Sequence, residues 1–130
     1  MAEFIMKDKV NKLGLGDRYI IESRATSYEE EGNDMYPLAK RVLDEKNIPY
    51  TRHYAKRLEY DDYSKFDLFV CMEEANIRNI KYIFDDSEDK VIKLLDRDIS
   101  DPWYTGNFIN TYNDLVEGID KLLNVNKDVN

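Results

Sequence analysis

The sequence predicts an α/β domain: a small, doubly wound parallel sheet with helices on both faces. Three observations predict it. Helical periodicities alternate along the chain with short β-branched runs, the pattern of strands joined by crossover helices. A length of 130 residues is enough for one core and too short for two ordinary domains. With 42% hydrophobic and 35% charged residues and no repeat or low-complexity tract, the composition is that of a folded protein. We expect a single domain over residues 1–123 and a polar tail over 124–130.

The elements follow in chain order. From Ala2 to Leu13 apolar residues recur at Phe4, Ile5, Met6, Val10 and Leu13, a helical spacing that stops at Gly14 and Gly16. Arg18–Ser23 is short and β-branched and predicts a strand, followed by the polar loop SRATSYEEEGN. A second helix is expected from about Tyr36 to Lys46, with Pro37 in its first turn, Leu38, Val42 and Leu43 inside, and Lys40, Arg41, Asp44 and Glu45 outside. After YTRHYAKRL and a polar turn at DDYSK, the run FDLFVCM is the strongest strand signal in the chain. Helical spacing resumes at Ala75, Ile77, Ile80, Ile83 and Phe84, and Lys90–Leu95 predicts a further strand. A loop, DRDISDPWYTGN, precedes a terminal helix whose apolar positions are Phe108, Ile109, Tyr112, Leu115, Val116, Ile119, Leu122 and Leu123. That leaves three strands, fewer than small doubly wound sheets usually have, in a chain that starts inside a helix.

Charge and cysteine usage narrow the function classes. A formal charge of −8 opposes binding to a phosphate backbone, which depends on Lys and Arg neutralising phosphates. One cysteine permits no internal disulfide, and no window approaches the ~20 apolar residues of a membrane span. The expected location is the cytoplasm, with neither nucleic acid nor membrane as partner.

Cys71 ends the strongest strand, and Arg78 follows it, so the segment invites comparison with a Cys-x5-Arg phosphate loop. Such a loop needs five residues whose N–H groups curl round a phosphate, then an arginine to clamp two phosphoryl oxygens. The spacing fails here: five residues after Cys71 lead to Ile77, and Arg78 comes one position late. Glu73 and Glu74 would also repel phosphate and raise the thiol pKa. Cys71 therefore reads as a small hydrophobe at a strand end, with Met72, Asn76 and Arg78 capping or packing the next helix. No Cys-x5-Arg occurs elsewhere in the chain.

The segment DPWYTG, Asp101–Gly106, suits either a mobile acid with an aromatic rim or a plain turn with two exposed aromatics. Taken in order, MAEFIMK, SRATS followed by GN and YPLAKRVL, RHYAKRL, YSKFDLFVCMEEANIRNI and DPWYTGNF resemble the low-molecular-weight protein tyrosine phosphatases from Met1 to about Leu123. That resemblance implies phosphomonoester hydrolysis through a cysteinyl-phosphate, without metal or cofactor, on phosphotyrosine proteins or small aryl phosphates. It implies Asp101 as the general acid and base, and Trp103 and Tyr104 as residues of the pocket entrance. Tyr28 and Glu29 fall on the pocket wall, with Glu29 where many members carry a specificity-determining aromatic. Glu3, Ser23 and His53 match positions that buttress the phosphate loop, although His53 sits with Arg52, Lys56 and Arg57 in a basic stretch that equally reads as a solvated face. Arg24 stands where a small residue is usual, and sequence alone offers no reason for it.

The resemblance also implies what this sequence lacks. Family members open with a strand running into V-C-x5-R-S-P, which supplies nucleophile and phosphate clamp, and the equivalent of MAE follows that proline. The expectation is that an inner strand and loop of roughly 15 residues belong upstream, through a mis-assigned start or a deliberate truncation, and that the 130-residue chain is catalytically inactive. A natural pseudo-phosphatase acting as a protein-interaction module is the alternative. A flavodoxin-like cofactor binder shares the sheet class but finds no phosphate-cradling glycine loop here. Loss of an inner strand would leave unpaired sheet edges open to self-association.

Overall fold

A computed structural model describes residues 1–26, 35, 37–84, 89–99 and 106–129. The fold is α/β, with helices around a small parallel sheet. Helix α1 spans Ala2–Lys12. Glu3 in its first turn and Lys9 and Lys12 in its last complement the helix dipole, and Glu3–Lys7 and Asp8–Lys12 pair at 2.8 Å one turn apart. It ends in a Schellman motif: the Gly14 N–H donates to the Asn11 carbonyl and the Leu15 N–H to that of Val10, with Gly14 at φ +74°. The glycine that marks the helix end in sequence is thus the residue that makes the turn.

Helix α2, Pro37–Glu45, ends the same way with Asn47 at φ 56° and the Ile48 N–H on the Leu43 carbonyl. Its inner face is Ala39, Val42 and Leu43. Leu38, expected inside, is 40% exposed, because the buried stripe runs one position later and takes the small Ala39 against Phe108. The turn at DDYSK is a short helix, α3, over Asp62–Lys65.

Strand β1 (Phe69–Cys71) pairs in parallel with β2 (Val91–Lys93) in the register Phe69↔Val91, Val70↔Ile92 and Cys71↔Lys93. Alternation along β1 divides the core. Val70 and Met72 pack against a cluster built from α1, α2 and the C-terminal helix, including Phe4, Val10, Leu43, Leu115 and Ile119. Phe69 and Cys71 face Leu58, Ile80 and Phe84 on the other side. Helix α4, Glu74–Ile83, covers that second face and opens with a capping box between Glu73 and Asn76. Helix α5, Phe108–Val129, covers the first, capped by Asn107, whose Oδ1 accepts the Asn110 N–H at 3.0 Å.

The strand expected at Arg18–Ser23 does not form. A single 3-10 turn, Gly16–Arg18, is followed by extended chain with no ladder among the described residues, and Ile20 is 85% exposed. β propensity is met only where a neighbouring strand supplies hydrogen bonds. The segment keeps strand-like alternation all the same: Tyr19 and Ile21 pack inward. It is anchored beyond its end by one bridge, where the Ala25 N–H donates to the Lys56 carbonyl and the Leu58 N–H to that of Ala25, both at 2.8 Å.

Candidate functional site

Three chain segments converge at the N-terminal end of α1. The first turn of the helix brings Glu3, the extended stretch before Ala25 brings Ser23, and the irregular chain before Leu58 brings His53. The Ser23 hydroxyl donates to Glu3 Oε1 at 2.9 Å and stands 3.0 Å from His53 Nε2. Lys7 Nζ donates to the other Glu3 oxygen at 2.8 Å, and His53 Nδ1 lies 3.9 Å from Glu3 Oε1. Phe4 supports the imidazole edge-to-face with ring centroids 6.0 Å apart.

Proton counting fixes the direction of these bonds. A serine hydroxyl has one proton, and an ionised carboxylate only accepts. Ser23 therefore gives its proton to Glu3 and accepts from His53 Nε2–H. Burial raises the Glu3 carboxyl, but hydrogen bonds from Lys7 and Ser23 and the charges of Lys7 and His53 outweigh it and hold the group below its ordinary value. The cluster contains Ser, His and Glu yet is not a nucleophilic triad. In a triad the carboxylate orients the imidazole from its far nitrogen within about 2.6–3.2 Å, and the imidazole takes the serine proton. Here the far nitrogen is 3.9 Å away and the proton is committed to the carboxylate. The arrangement holds backbone and side chains in place; it does not activate an oxygen.

Asp101, Trp103, Tyr104, Tyr28 and Glu29 lie outside the described residues. Of the eight site residues singled out in the sequence, the structure brings together Glu3, Ser23 and His53. Cys71 is where the reading of its strand placed it, 4% exposed, and burial together with the Glu74 charge pushes its thiol up to about 11. That thiol is neutral near pH 7 and no nucleophile.

Sequence reasoning missed three contributors. Lys7 was legible as the i+4 partner of Glu3. Thr26 was not: its hydroxyl accepts from both Asn76 Nδ2 and Asn79 Nδ2 at 3.3 Å, tying the segment after Ser23 to α4 across some fifty residues of chain. Nor was the partner of Arg24, the buried Asp62, at 3.4 Å. Asn76 also accepts the Met72 and Glu73 N–H groups through Oδ1, so it caps α4 and clasps Thr26 at once.

An open cleft of about 460 Å³ lies elsewhere, between Glu74, Lys93, Leu94, Leu95, Asp96 and Lys121. Lys93 is held there by Asp98 at 2.6 Å and Glu74 at 3.2 Å. Among the described residues no group of three or more His, Cys, Asp or Glu side chains is arranged to hold a metal, and no helix is long and apolar enough to cross a membrane.

Comparison with known proteins gives one answer. The family profile described as low molecular weight phosphotyrosine protein phosphatase matches residues 1–130. The low molecular weight protein-tyrosine-phosphatase PtpA of Staphylococcus aureus (strain bovine RF122) is 30% identical over 137 residues, covering 100% of this chain and 87% of that one. The PtpA of Staphylococcus saprophyticus is 31% identical with the same coverage. Among solved structures, SP-PTP, the low molecular weight protein tyrosine phosphatase from Streptococcus pyogenes, is 31% identical, with a TM-score of 0.84 over 95% of this chain and 81% of that one. YfkJ from Bacillus subtilis has a TM-score of 0.92 over 98% of this chain and 85% of that one, and at 24% identity it bears on the fold.

Proposed function

Given that the chain belongs to the low molecular weight phosphotyrosine protein phosphatase family, we propose that it forms most of an enzyme hydrolysing phosphotyrosine proteins or small aryl phosphates, and that these 130 residues alone do not turn over. The observation that carries this reading is the Glu3–Ser23–His53 ring at the start of α1, because it builds a rigid polar support with nothing of its own to catalyse. The support suits a phosphate loop bearing Cys-x5-Arg, a motif this sequence lacks.

In the complete reaction the thiolate of that loop attacks phosphorus, the phosphorus–oxygen bond to the phenol breaks, and the loop arginine and N–H groups hold the phosphoryl oxygens. Asp101 gives its proton to the departing phenolate oxygen. Its carboxylate then takes a proton from water, whose oxygen attacks phosphorus and releases the thiolate and inorganic phosphate. Trp103 and Tyr104 would shape the entrance, with Tyr28 and Glu29 on the wall; Glu29 in place of an aromatic favours less stacking with the substrate ring. Removing nucleophile and arginine together eliminates the covalent route and the phosphate clamp.

The reading is tested in the protein extended upstream by a strand and Cys-x5-Arg loop. Asp101→Asn should lower kcat by about 100- to 10,000-fold for a substrate with a poor leaving group, and by less for p-nitrophenyl phosphate. Equal losses on both substrates would remove Asp101 from the acid role. The missing motif also favours a second reading, a non-catalytic interaction module using the DPWYTG rim or the acidic surface. Capture of a partner lacking phosphotyrosine, at equal strength with and without added phosphate, would favour it over catalysis.

A further inference from the structure

Arg24 makes four contacts that sequence did not foresee. Its Nη1 donates to the Ser23 carbonyl at 2.9 Å and its Nη2 to Glu22 Oε1 at 2.9 Å. Its Nε faces Asp62 Oδ2 at 3.4 Å, and the guanidinium lies 5.4 Å over the Phe66 ring. Asp62 is 2% exposed and the same oxygen accepts the Glu59 N–H at 2.9 Å, so the anion is fixed by its own turn before it meets the arginine.

We infer that Arg24 is a positioning residue: braced by Asp62 and Phe66, it fixes the Ser23 backbone so that the Ser23 hydroxyl meets both Glu3 and His53. The functional meaning of this device rests on the reading of that trio as the support of a phosphate loop. The physical need is plain in the fold. The stretch from Tyr19 to Arg24 has no ladder among the described residues, so side chains must hold what strand pairing does not. Holding the Ser23 carbonyl fixes the plane of the peptide that follows it, which leaves the Ser23 Cα–Cβ bond only the rotation about Cα–C by which to turn from its partners on that side. A short bond to each of two partners tolerates little drift in that direction.

The contact set requires a guanidinium. Its planar fork reaches a carbonyl, two carboxylates and an aromatic face together, while a lysine ammonium is a point charge that meets one of them at a time. The small residue expected from the resemblance could make none of these contacts. The arginine also spans two structural units: Ser23 belongs to the trio at α1, whereas Asp62 opens α3 and Phe66 caps its end.

His53 is the only histidine, so its imidazole gives a single set of ring signals in long-range 1H–15N spectra of the 130-residue chain. Ser23→Ala provides the reference for a lost serine–histidine bond. Arg24→Met should move the His53 signals most of the way to the Ser23→Ala positions, and Asp62→Asn, which keeps an oxygen for the Glu59 N–H, should move them part of the way. Arg24→Lys should fail to restore them. In urea, Arg24→Met and Ser23→Ala should be non-additive by about threefold or more in the unfolding constant.

Arg24→Met and Asp62→Asn variants that fold cooperatively with His53 signals at the parent positions, while Ser23→Ala shifts them, would overturn the positioning role and leave the functional reading intact. Should Ser23→Ala itself leave the signals in place, the trio contact is absent, and the inference falls together with the support for that reading. If Arg24→Met does not fold, Asp62→Asn decides alone. Shifts in these variants combined with full turnover of a Ser23→Ala enzyme carrying the upstream loop would uphold the positioning and reject only the catalytic use of the trio.

Discussion

Glu3 carries the clearest electrostatic consequence at the scale of single residues. Its carboxyl lies below its ordinary value of 4.5 because Lys7, Ser23 and His53 favour the ionised form more than burial disfavours it. A group whose pKa is depressed by folding contributes stability that is present above its unfolded value and lost as pH falls through the folded one. Glu3→Gln should therefore be less stable than the parent in urea at pH 7, with the gap closing below about pH 4.5. A gap that stays constant down to pH 3 would mean the charge of Glu3 is not what the fold uses. Reading Glu3, Ser23 and His53 as one cluster was possible from the resemblance alone, since they stand 20 and 30 residues apart and no periodicity links them. The role of Arg24 was hidden for a related reason. A local pattern cannot show that a charge in one loop meets a buried carboxylate 38 residues later, because such pairs depend on how the chain returns on itself.

Elements were legible where they carry their own signals. The end of α1 was readable from Gly14, and α5 from its apolar spacing, because capping and helical periodicity are written within a few residues. The stretch Arg18–Ser23 misled for the opposite reason: β-branched residues state a preference, but a strand exists only when a partner is beside it. Two glycines separate the backbone and packing contributions. At Gly14 an added Cβ meets nothing within 4 Å, so Gly14→Ala should cost only the left-handed backbone penalty, about 1–2 kcal/mol. Gly118 is buried in α5, where a Cβ would stand 2.8 Å from Leu94 Cδ2 and closer still to Leu94 Cγ. There alanine's better helix propensity, about 1 kcal/mol, opposes an overpacking cost of about 1–3 kcal/mol, and Gly118→Ala should be neutral to destabilising. Urea unfolding checks both. A stabilised Gly118→Ala would mean that α5 does not rest on Leu94, the residue after β2, through this contact.

For the molecule as a whole, the two-stranded sheet and the unladdered stretch after Arg18 explain why fold class was easy to read and strand number was not. Alternating helices and apolar runs define the α/β class locally, whereas the number of strands depends on pairing. One edge of β1 and the extended stretch before Ala25 remain without ladder partners among the described residues. Such edges pair with other chains when uncovered. The 130-residue chain should accordingly shift towards dimer with concentration in sedimentation, and an added inner strand should suppress the shift. A concentration-independent monomer would show those edges to be protected already. The central claim is that this chain holds the support and the acid of a phosphatase site without its nucleophile. Hydrolysis of p-nitrophenyl phosphate, measured side by side for the purified 130-residue chain and for the chain carrying an upstream strand and Cys-x5-Arg loop, tests that claim most directly. The account predicts background rates for the first and vanadate-sensitive turnover for the second. Turnover by the first that follows the protein through purification and disappears in Asp101→Asn would contradict it.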